Sequence, residues 1–183
     1  MEAVQSQLHQ PVFTVNFKPD STGNLEFGIV DHSKHKGTLI QAEVNNQTNS
    51  DWTVDGITLT AGKAKLEQSM SFDTGGGDTM LADGKFVDAY WRQVAKSKKQ
   101  GGNYVFPCSS KLPDMEVSIF SAGAVTIPGS RFKGAGVGSG ACLGLLREGT
   151  SGYGRGSIGG PFFMSMFVVF DQATPAIRFA PQA

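Results

Sequence analysis

Chemistry in this chain points first to one aspartate at the end of a strand-like run. Asp73 stands in Phe72-Asp73-Thr74-Gly75, after the run from Ala64 to Phe72, and Gly76 and Gly77 follow it. A carboxylate at such a turn can be held by backbone N–H groups, which makes it a stable acid–base group. Thr74, Gly75, Gly76 and Gly77 are then the residues that shape its loop. Asp-Thr-Gly alone recurs by chance, so the reading rests on context: a strand before it, a Gly-rich turn after it, then a helix.

The other polar candidates are weaker. His32 and His35 lie in Asp31-His32-Ser33-Lys34-His35-Lys36, which reads as a solvated turn, and His9 is isolated. Cys108 and Cys142 are too few and too far apart for a paired-Cys zinc site. They read as one disulfide or two buried thiols, and no metal or cofactor is implied. Gly149-Thr150-Ser151-Gly152-Tyr153-Gly154-Arg155-Gly156 is Gly-rich but lacks the Lys-Ser/Thr ending and following helix of a phosphate-binding loop. It reads as a connection between strands, from which Arg155 is expected to reach a cleft. Met164 and Met166, beside Phe162 and Phe163, read as core filling.

The elements that must position Asp73 are mostly strands. Val12–Phe17 and Leu25–Val30 alternate apolar and polar residues around a turn cluster, Pro19-Asp20-Ser21-Thr22-Gly23-Asn24, and predict a hairpin. Further strands are expected at Gly37–Val44, Trp52–Leu59 (with a break at Gly56), Ala64–Phe72, Tyr104–Cys108, Met115–Phe120, Ala124–Ile127, Met166–Asp171 and Ile177–Ala180. One helix is predicted after the N-cap Asp83, from the spacing of Phe86, Val87, Tyr90, Trp91 and Val94. Ala3, Val4 and Leu8 suggest a short helical lead-in, and Pro161 a helical turn. Lys96–Gly102 reads as a solvated loop and Gly134–Gly159 as loop-dominated.

The 183 residues suit one domain, 1–183, or one lobe of a larger protein. Lys plus Arg and Asp plus Glu are 16 each, with no basic face for nucleic acid. No apolar run approaches the length of a membrane span. The polar start Met1-Glu2-Ala3-Val4-Gln5 does not read as a secretory leader, which leaves an intracellular chain or a removed leader as the two expectations.

Several of these segments, in order, resemble the C-terminal lobe of fungal pepsin-like aspartic proteases. They are Pro11-Val12-Phe13-Thr14-Val15, Phe27-Gly28-Ile29-Val30-Asp31, Val87-Asp88-Ala89-Tyr90-Trp91-Arg92-Gln93-Val94 and Gly102-Asn103-Tyr104-Val105-Phe106-Pro107-Cys108 with Leu112-Pro113. Phe167-Val168-Val169-Phe170-Asp171 and Phe179-Ala180-Pro181-Gln182-Ala183 complete the match. The resemblance implies a mostly β, pepsin-like lobe of barrel or sandwich character with one main short helix. It implies a Cys108–Cys142 disulfide, secretion, and Asp73 as the second lobe's catalytic aspartate. In that family two lobes each give one aspartate, and a water between them attacks a peptide carbonyl.

The departures bear on function. The N-terminal lobe, its aspartate and its flap have no counterpart in these residues. Gly76 and Gly77 stand where the family carries hydroxyls, and Asp78 and Thr79 where it carries apolar residues. Ser157-Ile158-Gly159-Gly160 matches an apolar-apolar-Gly-Asp motif whose acid is replaced by Gly160. The balanced charge differs from the acidic excess of acid-secreted members and allows an intracellular home.

Three functions follow as expectations. The first is a repurposed lobe using Asp73, with Asp78, as acid–base catalyst on a small molecule bound at the face the second lobe would cover. Ile158 and Arg155 are expected on its substrate side. The second is an aspartic endopeptidase completed by a homodimer or a separate N-terminal lobe. The third is a non-catalytic pseudoprotease that binds a peptide.

Overall fold

Alternation of β-branched and aromatic residues with polar ones puts most of the chain into strands. The computed structural model describes residues 6–19, 22–45, 52–119, 122–150 and 155–183. In order they form β1 (Val12–Phe17), β2 (Gly23–Phe27), β3 (Ile40–Glu43), β4 (Thr53–Ala61), β5 (Ala64–Phe72), β6 (Met80–Ala82), α1 (Gly84–Trp91), β7 (Lys98–Gln100) and β8 (Asn103–Pro107). Then come β9 (Met115–Ile119), β10 (Gly123–Ile127), β11 (Lys133–Gly136), β12 (Ala141–Gly144), β13 (Leu146–Glu148), β14 (Gly156–Ile158), α2 (Gly160–Phe163), β15 (Met166–Asp171) and β16 (Ala176–Pro181). The expected lead-in residues Ala3 and Val4, the turn residues Asp20 and Ser21, Phe120, and 151–154 lie outside the described residues.

These strands make three open sheets: β2-β1-β15-β16-β3, β10-β9-β4-β5-β14-β6-β13, and β11-β12-β8-β7. The fold is the mostly β pepsin-like lobe that the sequence leads one to expect. In the first sheet Phe13 pairs with both Phe27 and Phe170, and Val15 with Leu25 and Val168. That face joins the main core, while Val12, Phe167 and Val169 on the other face pack under Val30 and Leu39. Burial on both faces explains why Met166–Phe170 is a continuous apolar run rather than an alternating one.

The predicted break at Gly56 is a bulge inside one strand. The β4–β5 register shifts between Val54 and Ile57, and Gly56 takes φ +66°, a left-handed backbone that glycine adopts without steric cost. Asp83 caps α1, its carboxylate accepting from Lys85 N at 2.9 Å and Phe86 N at 3.4 Å. The helix stops at Trp91, so Val94 is buried just beyond its end rather than on its face. Trp91 Nε1 donates to Leu146 O at 2.9 Å, and its ring stacks on Tyr104 and Phe106.

Two loop expectations are corrected. Lys98–Gln100 is a strand, paired with β8. Gly134–Gly159 contains most of β11 and all of β12, β13 and β14, because glycine there permits close backbone approach: Gly144 lies against the Trp91 ring. Cys108 and Cys142 are joined by a disulfide, with Cα atoms 5.0 Å apart. With its ends 34 positions apart in sequence, that bridge contributes about 3–4 kcal/mol in the chain-entropy model. Among the described residues no helix is long and apolar enough to cross a membrane.

Candidate active site

Asp73 is set by a crossing of strands. β5 delivers it and β6 carries the chain back, but the two are not neighbours, because β14 lies between them. β14 runs parallel to β5, pairing Ile158 with Phe72, and antiparallel to β6, pairing Ser157 with Leu81. Residues 73–79 must therefore pass over the end of β14, where Gly159 and Gly160 lie. A Cβ on Gly160 would stand 2.7 Å from Gly77 O and 3.0 Å from the Asp78 Cα, and one on Gly159 would strike Thr79 O. The loop rests on these glycines, and Gly160 N donates to Gly77 O at 2.9 Å. The acid that the resembled motif carries has been replaced by contact between two backbones.

Short backbone bonds fix the loop. Asp73 N donates to Ile158 O at 3.0 Å, and Gly76 N to Asp73 O at 3.2 Å. Gly75 N donates to Asp73 Oδ1 at 2.9 Å, orienting the carboxylate. A Cβ on Gly75 or Gly76 would come within 3.2–3.3 Å of the carboxylate oxygens, so these glycines keep its surroundings open. Among the described residues no protein donor is recorded on Asp73 Oδ2, and the residue is exposed. Thr79 Oγ1 donates to Gly76 O at 3.1 Å. A hydroxyl thus ties the loop from Thr79, a position where the resembled family carries an apolar residue.

Beside the loop lies a cavity of about 420 Å³. Its wall is lined by Phe17, Lys18 and Leu25 of the β1–β2 hairpin together with Thr74, Asp78 and Met164. Gly77, at φ +62°, turns the chain so that Asp78 is exposed at this wall. Asp73 is not itself a lining residue; its neighbour Thr74 is. Lys18, Phe17, Leu25 and Met164 were not legible as site residues, since nothing in the sequence says that the hairpin faces residues 74–78. Of the apolar group assigned to core filling, Phe162, Phe163 and Met166 are buried, while Met164 is half-buried at the cavity.

Two expected substrate contacts lie elsewhere. Ile158 is 0% exposed and belongs to the core. It acts on the loop through its carbonyl, not on a substrate through its side chain, because that side chain packs in the main core. Arg155 is half-buried, its guanidinium donating to Thr53 Oγ1 at 3.4 Å toward β4, and it is not among the cavity's lining residues. His32 and His35 hydrogen-bond one another at 3.0 Å, and no metal-binding cluster occurs among the described residues.

A family model described as eukaryotic aspartyl protease matches residues 2–182. Aspergillopepsin-1 of Aspergillus flavus is 36% identical over 187 residues, covering 100% of this chain and 46% of that protein. Penicillopepsin-1 of Penicillium janthinellum is 37% identical over 185 residues, covering 100% of this chain and 56% of its own length. The chain therefore spans about half the length of these curated relatives. With the family model matching residues 2–182 and the aspartate loop built as described, the chain belongs to the eukaryotic aspartyl protease family.

Proposed function

We propose that Asp73 is a general acid–base catalyst acting on a small molecule held at the open face beside its loop. One observation carries this reading: an exposed, backbone-oriented carboxylate adjoins a cavity of about 420 Å³, a volume suited to a small ligand. One oxygen is held by Gly75 N–H and the other is open to a substrate proton, which is the arrangement that proton transfer needs. Asp78, across the turn, supplies a second charge to the same region. Replacing Asp73 with Asn keeps the Gly75 bond, since the amide oxygen still accepts, but removes the proton carrier. Turnover of small ester and amide substrates should fall about 100-fold or more with the melting temperature unchanged; unchanged turnover removes Asp73 from the mechanism.

A second reading is favoured by the sheet edge. Leu25, Phe27 and Ile29 are 49–55% exposed, and Leu25 lines the same cavity. A partner covering them, a second copy or a separate N-terminal lobe, would bring a second carboxylate to Asp73 for peptide hydrolysis. Measuring the mass in solution and the cleavage of unfolded protein at acid pH separates the readings. A strict monomer without cleavage rules out completion by a second copy, and absence of cleavage after adding an N-terminal lobe of an aspartic protease rules out the other form.

A further inference from the structure

The cavity beside the aspartate loop carries its own chemical pattern. Asp78 and Lys18 both stand among its lining residues, and Phe17, Leu25 and Met164 supply apolar surface to the same hollow. Among the described residues neither charge belongs to an ion pair: all five bridges involve other groups. Lys18 Nζ makes one long contact, 3.4 Å to Gln182 Oε1, and has no carboxylate partner there. Thr74 adds a hydroxyl on the Asp78 side. Two opposite charges that have no ion-pair partner among the described residues, around one apolar hollow, favour a molecule with the complementary arrangement.

We infer that this cavity binds a small zwitterion of amino-acid or dipeptide type, one with a single apolar side chain. The ammonium group meets the Asp78 carboxylate and the Thr74 hydroxyl. The carboxylate meets Lys18. The apolar side chain rests on Phe17, Leu25 and Met164. The inference rests on the reading of this face as a small-molecule site and assigns the ligand class. It also gives a purpose to Asp78 at a position where the resembled family carries an apolar residue.

Amide NMR spectra of the intact chain, titrated with L-leucine, L-leucinamide, N-acetyl-L-leucine and leucyl-leucine, test it. Leucine or the dipeptide should shift the Gly23, Thr74 and Gly77 signals, and whichever binds tighter distinguishes a free amino acid from a dipeptide. Leucinamide, without a carboxylate, and acetyl-leucine, without an ammonium, should each bind about tenfold more weakly. Asp78→Asn should abolish the discrimination against acetyl-leucine, and Lys18→Met that against leucinamide, with both variants keeping dispersed spectra. Asp73→Asn should leave binding within about twofold. No shift with leucine or with the dipeptide, or discrimination unaltered in both variants, overturns the assignment. Zwitterion binding together with Asp73-independent turnover would instead overturn the acid–base reading and leave this one standing.

Discussion

Thr79 and Gly160 hold the aspartate loop from two sides, one by a hydroxyl and one by the absence of a side chain. The Thr79 hydroxyl closes the turn onto Gly76 O. Gly160 lets residues 77–78 settle onto the start of α2. Restoring an acid there, Gly160→Asp, must therefore displace backbone at Gly77 and Asp78 and not merely a flexible side-chain tip. The expected cost is about 1–3 kcal/mol, as for overpacking elsewhere, read as a lowered melting temperature with reduced turnover. A stability equal to that of the parent would show that the loop yields freely and is not braced by this contact. The place of Asp73 at a strand end is legible because its context, a strand before it and glycines and a helix after it, is local in sequence. Ile158 was misread because its role depends on having β5 and β6 on either side, and no local pattern conveys that. The cavity walls Phe17 and Lys18 lie far from Asp78 in sequence, so their meeting is a property of the fold alone.

At the level of elements, α1 is anchored by charges on its flank as well as by its buried face. Asp88 accepts from the Tyr104 hydroxyl at 2.6 Å and from Lys99 Nζ at 3.4 Å, joining α1 to β7 and β8. The Tyr104 hydrogen bond, with Lys99 beside it, holds the Asp88 carboxyl below the usual carboxylate range. A depressed folded value means that the unfolded chain binds the proton more readily. The stabilisation is thus present above the ordinary carboxylate pKa, about 3.9, and is lost as pH falls through the lower folded value. Tyr104→Phe removes the main cause, so its destabilisation should be largest near neutral pH and shrink in strong acid, as measured by urea unfolding across pH. A deficit independent of pH would assign Tyr104 a packing role only. The helix itself was legible, since Phe86, Val87, Tyr90 and Trp91 repeat with helical spacing behind a capping Asp83. β11 to β14 were not: strands of three or four residues, rich in glycine, show no periodicity, and their partners, β8 and β5 among them, are distant in sequence.

For the molecule as a whole, the unfinished feature is the β2 edge of the five-stranded sheet. Leu25 and Phe27 pair with Val15 and Phe13, so they share the face that elsewhere forms the core. At this edge the face runs past the body of the chain, leaving Leu25 55% and Phe27 49% exposed. An apolar, unpaired strand edge favours association with another surface. Phe27→Glu places a charge on that face and removes the tilted contact with Phe13, whose ring centroid is 6.3 Å away. The expected stability change is within about 1 kcal/mol, because the residue is half exposed. If a second copy completes the site, the parent should sediment as a dimer and the variant as a monomer, and peptide cleavage should disappear with the dimer although Asp73 is untouched. If the small-molecule reading holds, the parent is already monomeric and the variant turns over its substrate as the parent does. Cleavage that persists in a monomeric Phe27→Glu chain contradicts pairing at this edge, and would leave the catalytic load on the residues of a single lobe.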